Sequence, residues 1–160
     1  MYAYIVLVHV LGAFIFALAH GVSIAVSLRL RGIRSREQAA ALLELSQMAV
    51  AWMYVGLLLL LVGGVWAGFA GEHWDRLWIW VSIGILVVVT FAMYAMATSF
   101  YGKMRLAAGV TSDPAMTKRY GDLGPDDLAA MAASGRPIWL AVIGGIGLVA
   151  IVWLMVVKPF

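Results

Sequence analysis

The sequence predicts an all-α fold, a bundle of four transmembrane helices, and three observations lead there. Of its 160 residues, 64% are apolar and 12% charged, against roughly 45–50% and about 25% in an average soluble domain. The apolar residues collect in four blocks, at about 2–28, 46–69, 77–101 and 137–157. Each supplies the roughly 20 residues that a helix needs to cross a bilayer core. The blocks are also continuous, as at residues 55–62 and 83–89. Barrel strands would instead run about 10 residues and alternate apolar with polar. Inside hydrocarbon every amide must be paired, which a helix achieves within itself. The whole chain, 1–160, therefore reads as a single transmembrane domain.

The first block resembles a secretory signal only superficially. No basic stretch precedes it, and its apolar segment is too long for a signal core. Basic residues follow it instead: Arg29, Arg31, Arg34 and Arg36. The second helix is expected to begin well before its apolar part, because Ser35 and Gln38 have the spacing of a capping box. Glu44 and Gln47 then reach the membrane boundary. Along the second block Gly56 and Gly63 recur seven apart, and Gly64 and Gly68 form a small-xxx-small pair. With Gly12 and Ala19 of the first block and Gly144, Gly145 and Gly147 of the fourth, they mark faces for close helix packing. In the third block Thr90, Tyr94, Thr98 and Tyr101 share one face by helical spacing, which predicts a stripe of interhelical hydrogen bonds.

The long connection, residues 102–136, is expected to carry two short helices. Asp113-Pro114 reads as an N-cap and first helical residue, with Gly121 as the stop. A second helix starts at Gly124-Pro125-Asp126-Asp127 and ends near Gly135. Its Leu128, Met131 and Ala132 form an apolar stripe suited to the bilayer surface or to the helix ends.

Charge sets an expected orientation. The first and third connections hold most of the Lys and Arg, whereas the second holds Glu72, Asp75 and Arg76. Connections one and three are therefore expected in the cytoplasm, and both termini on the outer side, in the inner (plasma) membrane. Tyr2, Tyr4, Trp66, Trp74, Trp78, Trp80 and Trp153 fall at the outer level, and Tyr101 and Trp139 at the inner one, as interfacial aromatic belts.

Several function classes drop out. The chain has no cysteine, which removes thiolate metal sites and thiol catalysis. Its net charge of +3 comes from short juxtamembrane clusters, not from the basic face a nucleic-acid reader needs. Ser23 lies three residues after His20, with no carboxylate nearby to orient the imidazole as a catalytic triad requires. Gly144-Gly145-Ile146-Gly147 has no lysine after it and so does not make a phosphate loop. The lack of a mid-membrane carboxylate or lysine argues against a proton-driven pump. Glu72, His73 and Asp75 make a weak metal-site candidate in the outer turn, where His73 is expected to be solvated.

Two ionisable side chains remain inside an apolar block: His9 and His20. Such residues are functional candidates by default. Eleven residues turn a helix by about 1100°, so the imidazoles point within about 20° of each other, about 16 Å apart along the axis. One metal cannot reach both, since imidazole–metal bonds are about 2 Å. Three readings follow. Either histidine ligates a haem b, with Met48, Met53, Met93 or Met96 as a second ligand; histidine and methionine hold copper; or each imidazole only bonds a neighbouring helix.

His9-Val10-Leu11-Gly12-Ala13 resembles the histidine–glycine opening of a group of small bacterial membrane proteins. The group includes HemJ-type protoporphyrinogen oxidases, copper-resistance D proteins and uncharacterised four-helix integral membrane families. The four-helix layout and the closing Met155-Val156-Val157-Lys158-Pro159 look most like an uncharacterised family. The resemblance to HemJ implies haem ligation by the first-helix histidine, which maps onto His9. The function expected is thus a small membrane accessory or cofactor-holding protein, with haem b bound through His9 or His20. The alternatives are an enzyme of porphyrin oxidation and a structural subunit of a larger membrane complex. Expected partners are the lipid bilayer, other membrane subunits or a second copy of the chain.

Overall fold

The computed structural model describes every residue except Arg34, so that residue's share of the basic cluster lies outside the described residues. The chain forms six helices there: α1 Tyr2–Leu30, α2 Arg36–Ala70, α3 Leu77–Ala108, α4 Pro114–Tyr120, α5 Pro125–Ala133 and α6 Arg136–Val157. Four of them, α1, α2, α3 and α6, are long and apolar enough to span a membrane. They pack as two antiparallel pairs, α1 with α2 and α3 with α6, and α1–α2 is the more extensive contact. Between the pairs, α2 touches α3 and α1 touches α6 only sparingly.

The α1–α2 seam is made of residues with little or no side chain. Gly12, Ala19 and Val26 are buried on α1, and Ala49, Gly56 and Gly63 on α2. Each set repeats every seven residues, which keeps one narrow stripe of a helix against its partner. The register is fixed: His9 meets Gly63, Gly12 meets Leu60, and Phe16 meets Gly56. A methyl group on Gly56 would lie 2.5 Å from the Phe16 amide nitrogen, and one on Gly63 would lie 2.8 Å from that of His9. The two backbones thus touch directly, which matters where lipid gives helices no hydrophobic reason to associate.

The second pair meets through side chains. Gly147 lets the Val89 methyls approach α6. Trp78, Ile79 and Leu154 bury one another near the short turn. There the Lys158 ammonium stands 5.5 Å from the centre of the Trp78 ring, where cation and π-face attract.

The main core lies at the other end, beside the first and third connections. Val26 and Leu30 of α1, Ala39 and Leu43 of α2, Phe100, Met104, Ala107 and Ala108 of α3, and Leu128 and Ala132 of α5 close around one another. This explains two boundaries. Helix α2 begins at Arg36 because Ser35 caps it, its side chain accepting from the Gln38 amide at 3.4 Å. Helix α3 runs seven residues past 101, because Met104, Ala107 and Ala108 are core residues. Gly109 then takes a left-handed φ of 76° and stops the helix, with the Val110 amide reaching back to the Arg105 carbonyl, a Schellman-type ending.

Helix α4 starts as the sequence suggests, Asp113 accepting from the Ala115 amide at 2.9 Å. In α5 the Asp127 carboxylate takes the Gly124 amide at 2.8 Å. Its apolar stripe packs against the helix ends. The expected stripe on α3 does not act as a bonding face: Thr90, Tyr94 and Thr98 are exposed, because α3 presents a different side to α6. Tyr101 is the member that bonds across, to Ser27. Among the aromatic residues, Tyr4, Trp66, Trp80, Trp139 and Trp153 are exposed, as belt anchors would be, but Trp78 is buried.

Gly56→Ala should lower bundle stability by about 1–3 kcal/mol, since the clash is with backbone and no rotamer relieves it. Gly145→Ala, which meets nothing within 4 Å, should leave stability unchanged or raise it. Denaturation midpoints in detergent, followed by circular dichroism, compare the two variants with the parent.

Candidate functional site

His9 and His20 lie on the inward side of α1, but they face different helices. His9 stands against α2. Its Nδ1 is 2.7 Å from the carbonyl oxygen of Leu60, and its ring covers Gly63 and Gly64. A carbonyl oxygen only accepts, so Nδ1 carries the proton and donates. The lone pair then belongs to Nε2. Gly64 is what admits the ring: a methyl group there would sit 2.9 Å from Nδ1.

His20 is buried and turns to α6. Its ring stacks on Phe16, centroids 6.0 Å apart and planes 8° from parallel. Its Nε2 presses on Gly144, where any Cβ would collide with it. Among the described residues, no group accepts from or donates to that nitrogen. A metal about 2 Å from Nε2 has no room on the side that α6 covers. His20 is thus a wedge between the two helix pairs.

The α1–α2 register also locates the methionines. With Phe16 beside Gly56, Met53 falls near the depth of His20 and Met48 deeper still. Met93 lies one turn beyond Val89, which meets Gly147, three residues from the Gly144 that holds His20; Met96 lies further on. All four lie at or below the depth of His20, and none at the depth of His9.

Below His20 a run of polar groups continues along α1 and crosses to α3. Ser27 donates to the Ser23 carbonyl at 2.6 Å. Its oxygen lies 2.5 Å from the Tyr101 hydroxyl, which therefore donates to it. Arg105 stands one turn beyond Tyr101 on α3. Sequence reasoning named Ser23 and Tyr101 but not their union with Ser27 and Arg105. The signal was available: Ser23 and Ser27 continue the stripe of His9 and His20 at helical spacing.

The outer-turn candidate does not assemble. Asp75 pairs with Arg76 at 3.5 Å. His73 is half-buried, with Nε2 3.3 Å from the Tyr2 hydroxyl and its ring beside Trp78. Among the described residues, no three His, Asp or Glu side chains gather in a group that could hold a metal.

Fold and interior together define a multi-pass helical integral membrane protein whose two intramembrane histidines both lie on its first helix. The chain belongs to the family described as "Predicted integral membrane protein (DUF2269)", which matches residues 3–159. No curated protein and no solved structure matches it.

Gly144→Ala should cost about 1–3 kcal/mol by displacing the imidazole. Combined with His20→Ala it should cost far less than the sum of the two single changes, since the clash partner is gone. A double-mutant cycle in detergent unfolding measures this coupling, and additive effects would count against the wedge.

Proposed function

We propose that this protein is a small accessory protein of the plasma membrane that holds haem b through His9. The observation that carries the reading is the bond from His9 Nδ1 to the Leu60 carbonyl. Metal-bound histidines characteristically donate their second ring nitrogen to such an acceptor, which fixes the tautomer and leaves Nε2 as the ligand. His9 is also only partly buried, whereas the ring of His20 is shut in by Gly144. None of Met48, Met53, Met93 and Met96 lies at the depth of His9, so none of them would be its second axial ligand. Haem held there would supply one-electron redox chemistry or gas binding. The α2 groups around the imidazole are Leu60, Gly63 and Gly64, which support a holder better than a porphyrin oxidase. Arginine-rich first and third connections support a cytoplasmic location for those loops and an outer location for both termini.

A second reading, a structural subunit, is favoured by the small buried share of the spans. In the most apolar window of each, 11% to 22% of residues are buried within the bundle. The remaining faces suit lipid, another subunit or a second copy of the chain.

An absorption spectrum of the purified protein, with haem supplied during expression, separates the readings. A Soret band that disappears in His9→Ala and persists in His20→Ala is the expected result. A folded protein that takes up no haem would sink the first reading and leave the second.

A further inference from the structure

The polar strip between α1 and α3 has a property unrelated to His9. Three buried polar atoms along it lack a partner among the described residues: His20 Nε2, Ser23 Oγ and Arg105 Nε. On α1, His20, Ser23 and Ser27 occupy successive turns; on α3, Tyr101 and Arg105 do. The Ser27–Tyr101 hydrogen bond joins the two rows. In hydrocarbon an unpartnered polar group costs several kcal/mol. Three of the five such atoms among the described residues lie on this one strip, which begins beside the basic connections; the other two are Trp74 Nε1 in the short turn and Ser134 Oγ after α5.

The donor set defines what fits. Arg105 Nε–H only donates, and the Ser23 hydroxyl both donates and accepts. Water accepts from the first and bonds to the second in either sense, whereas an acyl chain serves neither. His20 differs from both, because Gly144 covers its Nε2. We propose that water enters the bundle from the basic end, passes Arg105 and Tyr101, and reaches Ser23, where the wedged ring of His20 closes the inlet. The fixed positive charge of Arg105 at the mouth repels cations, hydronium included. The inlet therefore admits neutral water and favours anions over cations, and it ends blind inside the membrane.

Water-edited solid-state NMR of serine-labelled protein in bilayers tests this on the unaltered chain. Two other serines calibrate it: Ser35 is exposed, and Ser82 is 2% exposed and already bonded to the Trp78 carbonyl. Magnetisation from water should reach Ser23 at the rate of Ser35. Build-up at the rate of Ser82 would overturn the proposal, whatever the haem spectrum shows. The charge at the mouth has its own test, which the lack of native cysteine makes clean. Ser23→Cys should react about tenfold faster with an anionic than with a cationic methanethiosulfonate. Arg105→Gln should abolish that preference. Equal rates with Arg105 in place would remove it from the mouth.

Discussion

Two backbones touching without side chains between them is the constraint on which this molecule depends. In lipid, apolar helices gain nothing by hiding from solvent, so association must come from close contact and from hydrogen bonds. The seam of Gly12, Gly56 and Gly63 supplies that contact. It also sets the register that brings His9 beside Leu60 and leaves Met48 and Met53 at or below the depth of His20. An imidazole bonded to a carbonyl at 2.7 Å needs α2 to be this near. The same principle operates once more at Gly144, where the absence of a side chain makes space for the ring of His20. Glycine thus decides both where the helices meet and where the ionisable groups of the interior can stand.

Much of this was legible in the sequence. Block length and continuity specify four spans, since bilayer thickness leaves few other solutions. Short-range signals also read well: Ser35, Asp113 and Gly121 act through the chain adjacent to them. The seven-residue recurrence of Gly56 and Gly63 correctly indicated a contact face. What could not be read is which helix each face meets. Thr90, Tyr94 and Thr98 have the right spacing for a bonding stripe, but helical period carries no information on the direction of the neighbour. For the same reason the common stripe of His9 and His20 did not reveal that one imidazole faces α2 and the other α6. Nor does a turn reveal which distant residue folds onto it, as Tyr2 does onto His73.

The charges are arranged with similar economy. Among the described residues the single ion pair, Asp75 with Arg76, is exposed and at the sparsely charged end, where such a pair contributes little. At the basic end several cations rest on aromatic faces instead: Lys103 and Arg119 on Tyr120, and Arg136 on Phe100. Long side chains can lie along an apolar surface and keep their charged ends at the boundary. Cationic charge is thereby kept available to phosphate-bearing surfaces.

The uneven distribution of the core has a mechanical meaning. Three of the spanning helices, α1, α2 and α3, are clasped with α5 by one cluster at the basic end, while α6 stays outside that cluster and meets α1 sparingly. The opposite end has a tie of its own, the short turn between α2 and α3, whose His73 meets Tyr2 of α1 and Trp78 of α3. The bundle is thus fastened at both ends, like a barrel held by two hoops. Between those hoops the ring of His20 against Gly144 sets the spacing of α1 and α6.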